Sequence, residues 1–223
     1  MDALTLIRDT FAPLEGRAIL DIGCGSGALA KALAAEGAAV TGIDPGEEAL
    51  AKARLAVPSA RFEAASAEAL PFAAASFDGA VMLNALHHVP APGRALAEAA
   101  RILRKGGRLV VVEPLAEGTF FEALRPIEDE TAIRAEAQAA IAGAVAAGAY
   151  ACERDLTVQR RETFADAEAF FARVAAVDPA RAEVIRTDRA TMEAAFTDAA
   201  ERTPDGRFAL VQPLRVHVLT PAD

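Results

Sequence analysis

Three glycines at alternating positions, Gly23, Gly25 and Gly27, follow the short, mostly apolar run 17–22. Such a run is typical of a central parallel strand that is covered on both faces. Because glycine has no Cβ, the backbone can turn sharply after the strand and approach a bound molecule closely. The helix that we expect from residue 28 onward would point its free amide groups at that molecule. The stretch therefore predicts a ligand-binding turn between a strand and a helix.

Two acidic side chains accompany this turn. Asp21 stands two residues before the first glycine, and Asp44 ends a second expected strand, 38–44. A carboxylate at the end of that strand can accept hydrogen bonds from both hydroxyl groups of a ribose. The alternative role for Asp44 is to cap the helix that follows Pro45, but its position at the strand end favours ribose binding. Together these residues predict a nucleoside-binding crevice.

Two classes of nucleoside ligand use such a crevice. Gly23, Gly25 and Ala28 satisfy the pattern Gly-x-Gly-x-x-Gly/Ala, which binds the pyrophosphate of a dinucleotide. Asp21 and Gly27 are not part of that pattern, and a match to the pattern alone is weak evidence. The turn alone is therefore compatible with two classes of protein: an NAD(P)-dependent oxidoreductase, or a protein that binds a nucleoside without a pyrophosphate.

The amino-acid composition indicates which kinds of partner the protein is not expected to bind. The 223 residues suffice for one α/β domain with an insertion, and a hydrophobic content of 53% supports a core. A net charge of -9 argues against broad binding to nucleic acid. Cys24 and Cys152 show no metal-like spacing, so we expect no metal and a reducing, cytoplasmic location. Without a signal peptide, or a stretch near the roughly 20 apolar residues of a membrane span, we expect no membrane partner.

Alternating strands and helices up to residue 114 position the turn. The expected strands are 17–22, 38–44, 60–66, 77–84 and 108–113, and the expected helices are 4–11, 28–36, 46–56 and 92–104. This rhythm predicts a parallel sheet with right-handed crossovers, with ligands at the carboxyl ends of the strands.

The pattern changes after Pro114. The remaining segments are a mainly helical stretch 115–149, a strand-like stretch 156–164, helices 166–176 and 179–202, and an extended stretch 208–219. Pro213 interrupts the last of these, so we expect it to lie near a sheet edge or to bend.

Five segments between residues 18 and 114 resemble motifs of the class I S-adenosylmethionine (SAM)-dependent methyltransferases, in the small-molecule branch sometimes called type 11. In chain order they are Asp21–Gly27, Gly42–Asp44, Ala67–Phe72 with Ser76–Asp78, Leu86–Val89 and Arg101–Gly107. Any one of these matches is weak, but five in the right order are strong.

The resemblance implies a Rossmann-like class I methyltransferase fold of the α/β class. In that fold a mostly parallel seven-stranded sheet of order 3-2-1-4-5-7-6 has helices on both faces, and here a helical cap is inserted after strand 5. We expect a SAM-binding core at 1–114, a mainly helical substrate-cap region at 115–206, and a terminal strand at 207–223 within a single domain. The stretches 156–164 and 208–219 are candidates for the last two strands, with a hairpin inside 208–219 as the alternative.

The resemblance also implies SAM, or its product S-adenosylhomocysteine, as the ligand. An acid beside the glycine turn suits the ammonium group of its methionine portion, which Asn84 would border. Adenine would lie near Ser66, where the family usually has an acid; a hydroxyl accepts a hydrogen bond more weakly than a carboxylate does. The expected cofactor-binding residues are Asp21, Gly23, Cys24, Gly25, Gly27, Asp44, Pro45, Ser66, Ala67, Glu68, Asn84 and Ala85.

Two further pairs of residues are candidates to act on or bind the methyl acceptor. His87 or His88 could act as a general base, but packing as crevice wall is slightly favoured. Alignment of the acceptor, the methyl group and the sulfur can lower the activation barrier by up to ~7–11 kcal/mol, so the transfer needs little help from a base. Arg160 and Arg161 could hold an anionic group of the substrate, because guanidinium pairs bidentately with carboxylate or phosphate. Pairing with surface acids is the commoner outcome for such arginines.

The sequence thus predicts a SAM-dependent methyltransferase that transfers a methyl group by in-line displacement to an unidentified small molecule. An NAD(P)-dependent oxidoreductase is the alternative, disfavoured because no Tyr-x-x-x-Lys pair and no second binding half are evident. A catalytically idle SAM-binding protein is a third possibility. We expect neither nucleic acid nor a membrane as a partner, and the assembly, with a homodimer among the options, is left open.

Overall fold

The structure, a computed structural model, describes residues 2–222. Its helices are α1 (Ala3–Phe11), α2 (Ala28–Ala34), α3 (Glu47–Ala56), α4 (Pro92–Ile102), α5 (Thr119–Leu124), α6 (Thr131–Ala146), α7 (Ala167–Ala175), α8 (Ala180–Thr187) and α9 (Arg189–Ala199). Its strands are β1 (Ala18–Ile22), β2 (Ala39–Asp44), β3 (Arg61–Ala64), β4 (Phe77–Leu83), β5 (Leu103–Pro114), β6 (Tyr150–Phe164), β7 (Glu201–Arg202) and β8 (Phe208–Pro221).

The strands form one mixed sheet in the order β3-β2-β1-β4-β5-β8-β6, and β7 pairs with β8. β1 pairs in parallel with β2 and β4, β2 with β3, and β4 with β5, whereas β7 and β8 are antiparallel. The expected fold class and the order of the main strands are confirmed. The two-residue strand β7 makes this an eight-stranded sheet, where seven strands were expected.

The residues of the central strands explain their position. In β1, Ile19 and Leu20 are fully buried, and in β4 the same holds for Val81 and Met82. Continuous apolar runs of this kind need cover on both faces of the sheet. Helix α1 supplies part of this cover, since a Cβ on Gly79 would lie 2.3 Å from the ring of Phe11. The glycine therefore lets the aromatic ring pack directly on the strand.

The described chain divides into two compact units. Unit 1 contains residues 2–113, 136–158 and 215–222, and unit 2 contains 114–135 and 159–214. The core of unit 1 packs Leu20 and Met82 of the sheet with Leu96 of α4. The core of unit 2 is rich in phenylalanine, with Phe170 in edge-to-face contact with Phe120 and Phe164 at centroid distances of 5.4 and 5.5 Å. Within residues 2–222, no helix is both long and apolar enough to cross a bilayer.

This division differs from the expected continuous cap at 115–206, because residues 136–158 pack with unit 1. Ala137 and Ile141 of α6 lie in the unit 1 core together with Tyr150. The buried Tyr150 hydroxyl donates a hydrogen bond of 2.7 Å to the Leu96 carbonyl. The alanine-rich sequence of α6 carries no clear periodicity, so it does not show which of its faces is buried.

The expected helix 179–202 is wrong. The chain leaves the helical conformation at Asp188 (φ -138°, ψ 61°), which separates α8 from α9. The Asp188 carboxylate accepts a hydrogen bond of 3.3 Å from the Thr191 amide, as an N-terminal cap does. Residues 201–202 then form β7. Aspartate is a common helix-starting residue, so the signal for this break was present in the sequence.

The C-terminal strands confirm the candidate pair and exclude the hairpin inside 208–219. β8 runs continuously from Phe208 to Pro221 and lies between β5 and the edge strand β6. Pro213 has no amide to donate, but its carbonyl accepts a hydrogen bond of 3.0 Å from the Leu115 amide. β6 begins at Tyr150 and β5 at Leu103, each earlier than expected.

Replacing Tyr150 by Phe removes the buried hydrogen bond to Leu96. We expect the free energy of unfolding, measured by urea denaturation, to fall by about 1 kcal/mol, the usual net contribution of such a bond. Leu55→Ala is the control, since Leu55 is 83% exposed and its truncation should change stability by less than about 0.5 kcal/mol. Equal stability of Tyr150→Phe and the wild type would contradict the packing of residues 136–158 into unit 1.

Candidate functional site

The glycine turn after β1 is tied to β2 and open on one side. Gly23, Gly25 and Gly27 all have positive φ values, of 75°, 50° and 81°. The amides of Gly23 and Cys24 both donate to the Ile43 carbonyl, at 2.8 and 2.9 Å. A Cβ on Gly25 would meet nothing within 4 Å. Gly25 therefore presents bare backbone to open space at the carboxyl end of the sheet.

The other two glycines of the turn are required by packing. A Cβ on Gly23 would lie 2.6 Å from the Cβ of Ala85, in the loop after β4. A Cβ on Gly27 would lie 3.1 Å from the Cβ of Ala53 and 3.3 Å from the ring of Phe62. These two glycines allow close packing behind the turn, so their role differs from that of Gly25.

Asp44 holds the turn in place. One carboxylate oxygen accepts a hydrogen bond of 2.9 Å from the Gly25 amide, and the other accepts one of 2.8 Å from the Gly46 amide. The second contact is to the amide of Gly46, the residue before α3, and no side chain caps that helix, so the capping alternative for Asp44 is not observed. Each carboxylate oxygen can accept a further hydrogen bond. Asp44, followed by Pro45, can therefore position the turn and still bind two hydroxyl groups.

Asp21 is a buried acid with an unused acceptor. It is 2% exposed, and its Oδ2 has no hydrogen-bond partner. Burial raises the pKa of Asp21 to about 7; a backbone hydrogen bond from Ala30 opposes this rise, and the charge of Asp44 adds to it. A cation beside Asp21 would stabilise the ionised carboxylate. The position is thus suited to a positively charged ligand group.

β4, the strand next to β1, ends in a second unused acceptor. Asn84 has a φ of 52°, which is uncommon for a residue other than glycine. Its amide donates to the Val112 carbonyl at 2.8 Å, while its Oδ1 is buried without a partner. Buried polar atoms usually have partners. Asp21 lies near the end of β1, and Asn84 directly follows the adjacent strand β4. Both oxygens are available to the donors of a ligand.

The loop after β3 brings Ser66 and Glu68 together. The Glu68 amide donates to the Ser66 hydroxyl, which donates in turn to the Glu68 carboxylate, both at 3.2 Å. Ser66 is exposed, whereas Ala67 and Glu68 are half-buried. Ser66 occupies the position where the resembling family usually has an acid. Because Glu68 is hydrogen-bonded to Ser66, its carboxylate lies close to that position.

The two histidines differ in their surroundings. His87 is buried, and its Nδ1 lies against the carboxylate of Glu113 at the end of β5. His88 is exposed, with its ring centroid 4.0 Å from that of His87. Glu113 also accepts hydrogen bonds from the amides of Ala85 and Leu86, at 3.0 and 2.8 Å. A carboxylate bound by amides can only accept, so the histidine nitrogen that faces it is the one that carries hydrogen.

Glu113 is the residue of this site that the sequence did not reveal. It is 1% exposed and caps the single helical turn that contains both histidines. Its position at the end of an expected strand, just before Pro114, was the only available signal. The partner, His87, is 26 residues away in the sequence, and no local pattern links the two.

The structure does not bring Arg160 and Arg161 into one site. Consecutive residues of a strand face opposite sides, and both lie in β6. Arg160 is half-buried, whereas Arg161 is exposed and contacts the Glu201 carboxylate at 3.3 Å. For Arg161 the commoner outcome, a surface ion pair, is the one observed.

Comparison with known proteins finds similarity in the N-terminal part of the chain. Residues 20–111 match the family described as "Methyltransferase domain". The ubiquinone biosynthesis O-methyltransferase of Paracidovorax citrulli is 42% identical over 105 residues, which are 44% of each protein. The demethylmenaquinone methyltransferase of Renibacterium salmoninarum is 35% identical over 108 residues, 48% of this chain and 46% of that protein. The chain thus spans less than half the length of these curated relatives.

Comparison of structures covers the whole chain. A putative methyltransferase from Bacillus halodurans superimposes with a TM-score of 0.68 at 19% identity, over 99% of both chains. The chain therefore has the Rossmann-like class I methyltransferase fold. The family match ends at residue 111, before unit 2 begins at Pro114, and it contains the glycine turn, Asp44 and Asn84.

The raised pKa of Asp21 makes stability depend on pH. The folded protein keeps this proton up to about pH 7, whereas the unfolded chain releases it near 3.8. The native state therefore loses stability relative to the unfolded state as the pH rises between these two values. Asp21→Asn has no such proton. Its unfolding free energy relative to wild type should rise by about 2 to 3 kcal/mol from pH 5 to pH 8. Parallel stability curves for the two proteins in urea titrations would show that Asp21 is not desolvated.

Proposed function

We propose that this chain, whose residues 20–111 match the family described as "Methyltransferase domain", is a SAM-dependent methyltransferase that acts on a small molecule. The observation that carries the proposal is the open space in front of Gly25, whose amide is held by Asp44. A side chain at this position would fill the space that a ligand needs. Residues 20–111 also contain the two buried oxygens described above that have no hydrogen-bond partner, Asp21 Oδ2 and Asn84 Oδ1.

The residues present fit the cofactor. SAM carries an ammonium group, which supplies the positive charge and the donors that Asp21 Oδ2 and Asn84 Oδ1 lack. Asp44 would accept from the two ribose hydroxyls with its remaining lone pairs. The adenine would lie against the Ser66–Glu68 loop. The remaining proposed contacts come from Gly23, Cys24, Gly25, Gly27, Pro45 and Ala85.

SAM supplies an electrophilic methyl group on a sulfonium. The protein then has to exclude water and hold the acceptor in line with that group. In well-oriented transfers this alignment can supply most of the rate. Glu113 fixes the ring of His87, so we assign His87 to the wall of the site. His88, which is exposed, is the better placed of the two to exchange a proton with solvent.

The acceptor is a small molecule, as in the relatives named for ubiquinone biosynthesis and demethylmenaquinone. The match to the family covers the proposed cofactor site and ends before unit 2, so it supports the methyl donor more strongly than any particular acceptor. Turnover of tritium-labelled SAM with hydroxylated aromatic compounds tests the function. Binding of SAM without turnover of any acceptor would favour an idle SAM-binding protein. A cytoplasmic location stays a prediction of the sequence, and the oligomeric state stays open.

Gly25→Ala tests the proposed cofactor position. Gly106→Ala is a matched control, since Gly106 also has a positive φ, of 76°, and its Cβ would meet nothing within 4 Å. Gly106 lies in β5 between Leu103 and Arg108, which pair with the first residues of β4, so it is at the opposite end of these strands from the glycine turn. Each variant should lose about 1 to 2 kcal/mol of stability, the cost of a left-handed alanine.

Only Gly25→Ala should lose affinity for S-adenosylhomocysteine, by at least about tenfold in calorimetry, because only its methyl group enters the ligand space. Similar affinities in the two variants would place the cofactor away from the glycine turn.

A further inference from the structure

On the inward face of β6 in unit 2, one carboxylate contacts two guanidinium groups, one from the strand and one from α7. Arg160 and Glu162 are two residues apart on the strand and lie on the same face. The Nε of Arg160 lies 2.9 Å from Glu162 Oε1. Arg173, from α7, places its Nε 3.3 Å from Glu162 Oε2. Glu162 therefore has to balance two cations at once.

The charges around Arg160 add up to a local positive excess. Burial lowers the pKa of Arg160; the charge of Glu162 opposes this effect, and the charges of Arg173 and Arg134 add to it. Arg134 is itself paired with Glu130 at 2.6 Å, so the excess consists of Arg160 and Arg173 against the single carboxylate of Glu162. The chain as a whole has a net charge of -9, so the excess is a property of this cluster. A partly desolvated excess cation is unfavourable unless an anion binds beside it.

Arg160 also has an unused hydrogen-bond donor. Its Nε is buried and donates no hydrogen bond, because Glu162 Oε1 lies close to it but not in the direction of the N–H. The guanidinium carbon lies 5.5 Å from the ring centroid of Phe120. The side chains of Arg160 and Arg173 are 29% and 40% exposed, so a small solute can reach both.

We propose that Arg160 and Arg173 bind the carboxylate or phosphate group of a small organic molecule. The planar donors of arginine match the oxygens of both groups. Glu162 holds the two guanidinium groups in place and competes with the ligand. The ring of Phe120 belongs to the phenylalanine-rich core of unit 2, so the cations lie beside apolar surface. That this ligand is the methyl acceptor rests on the function proposed above, whereas the binding of an anion does not.

Titration of the full chain with sodium phosphate and, separately, with benzoate tests this site. We expect Arg160→Gln and Arg173→Gln each to weaken binding about tenfold, because each removes a charged donor. Glu162→Gln removes the competing carboxylate and should tighten binding. Arg161→Gln is the matched control and should bind as the wild type does. Arg161 lies next to Arg160 on the same strand but faces the other side. Tighter binding of benzoate or of phosphate identifies which group the site prefers.

Two outcomes would overturn the proposal. The first is that the wild type binds neither anion. The second is that Arg161→Gln weakens binding as much as Arg160→Gln does. Thermal unfolding checks that each variant is folded, and Glu162→Gln tests the site without removing a cation. S-adenosylhomocysteine is titrated in parallel and should bind all variants equally. A wild type that binds S-adenosylhomocysteine but neither anion therefore rejects this site alone, and failure of the wild type to bind S-adenosylhomocysteine rejects the proposed function.

Discussion

The hydrogen bond between the Asp44 carboxylate and the Gly25 amide, 2.9 Å long, connects the two strand ends on which the candidate site depends. It fixes a left-handed glycine turn that has few contacts of its own, since Gly25 has open space on its ligand side. The Ile43 carbonyl, which accepts from two amides of the turn, adds to this connection. The ligand space is thus shaped before any ligand binds, because its backbone donors and its carboxylate hold one another in place.

Unit 2 depends on a different kind of interaction. Glu130 is buried and contacts Arg134 and Arg181 at 2.6 and 2.5 Å. Arg134 also donates to the Leu115 carbonyl and to Gln212, at 2.8 and 3.1 Å. Removing one member of a buried ion pair typically costs about 3 to 5 kcal/mol, because the other charge is left without a partner. This network joins four separate stretches of sequence around the phenylalanine-rich core.

The sequence predicted unit 1 well because its signals are local. The glycine turn, the acid at the end of β2 and the alternation of strands and helices each lie within a few residues. Contacts between distant residues could not be predicted: Glu113 reaches His87 across 26 positions, and Tyr150 reaches Leu96 across 54. The separation of Arg160 from Arg161 is different, because adjacent residues of an expected strand must face opposite sides. That signal was available in the sequence.

The most direct measurement is a calorimetric titration of the wild-type chain with S-adenosylhomocysteine, and of a second sample with NADH. The open turn at Gly25, the acceptors Asp21 and Asn84, and the carboxylate of Asp44 predict that S-adenosylhomocysteine binds and NADH does not. Binding of NADH alone would contradict this assignment. The glycine turn would then have to be interpreted as the pyrophosphate-binding pattern of a dinucleotide-dependent enzyme.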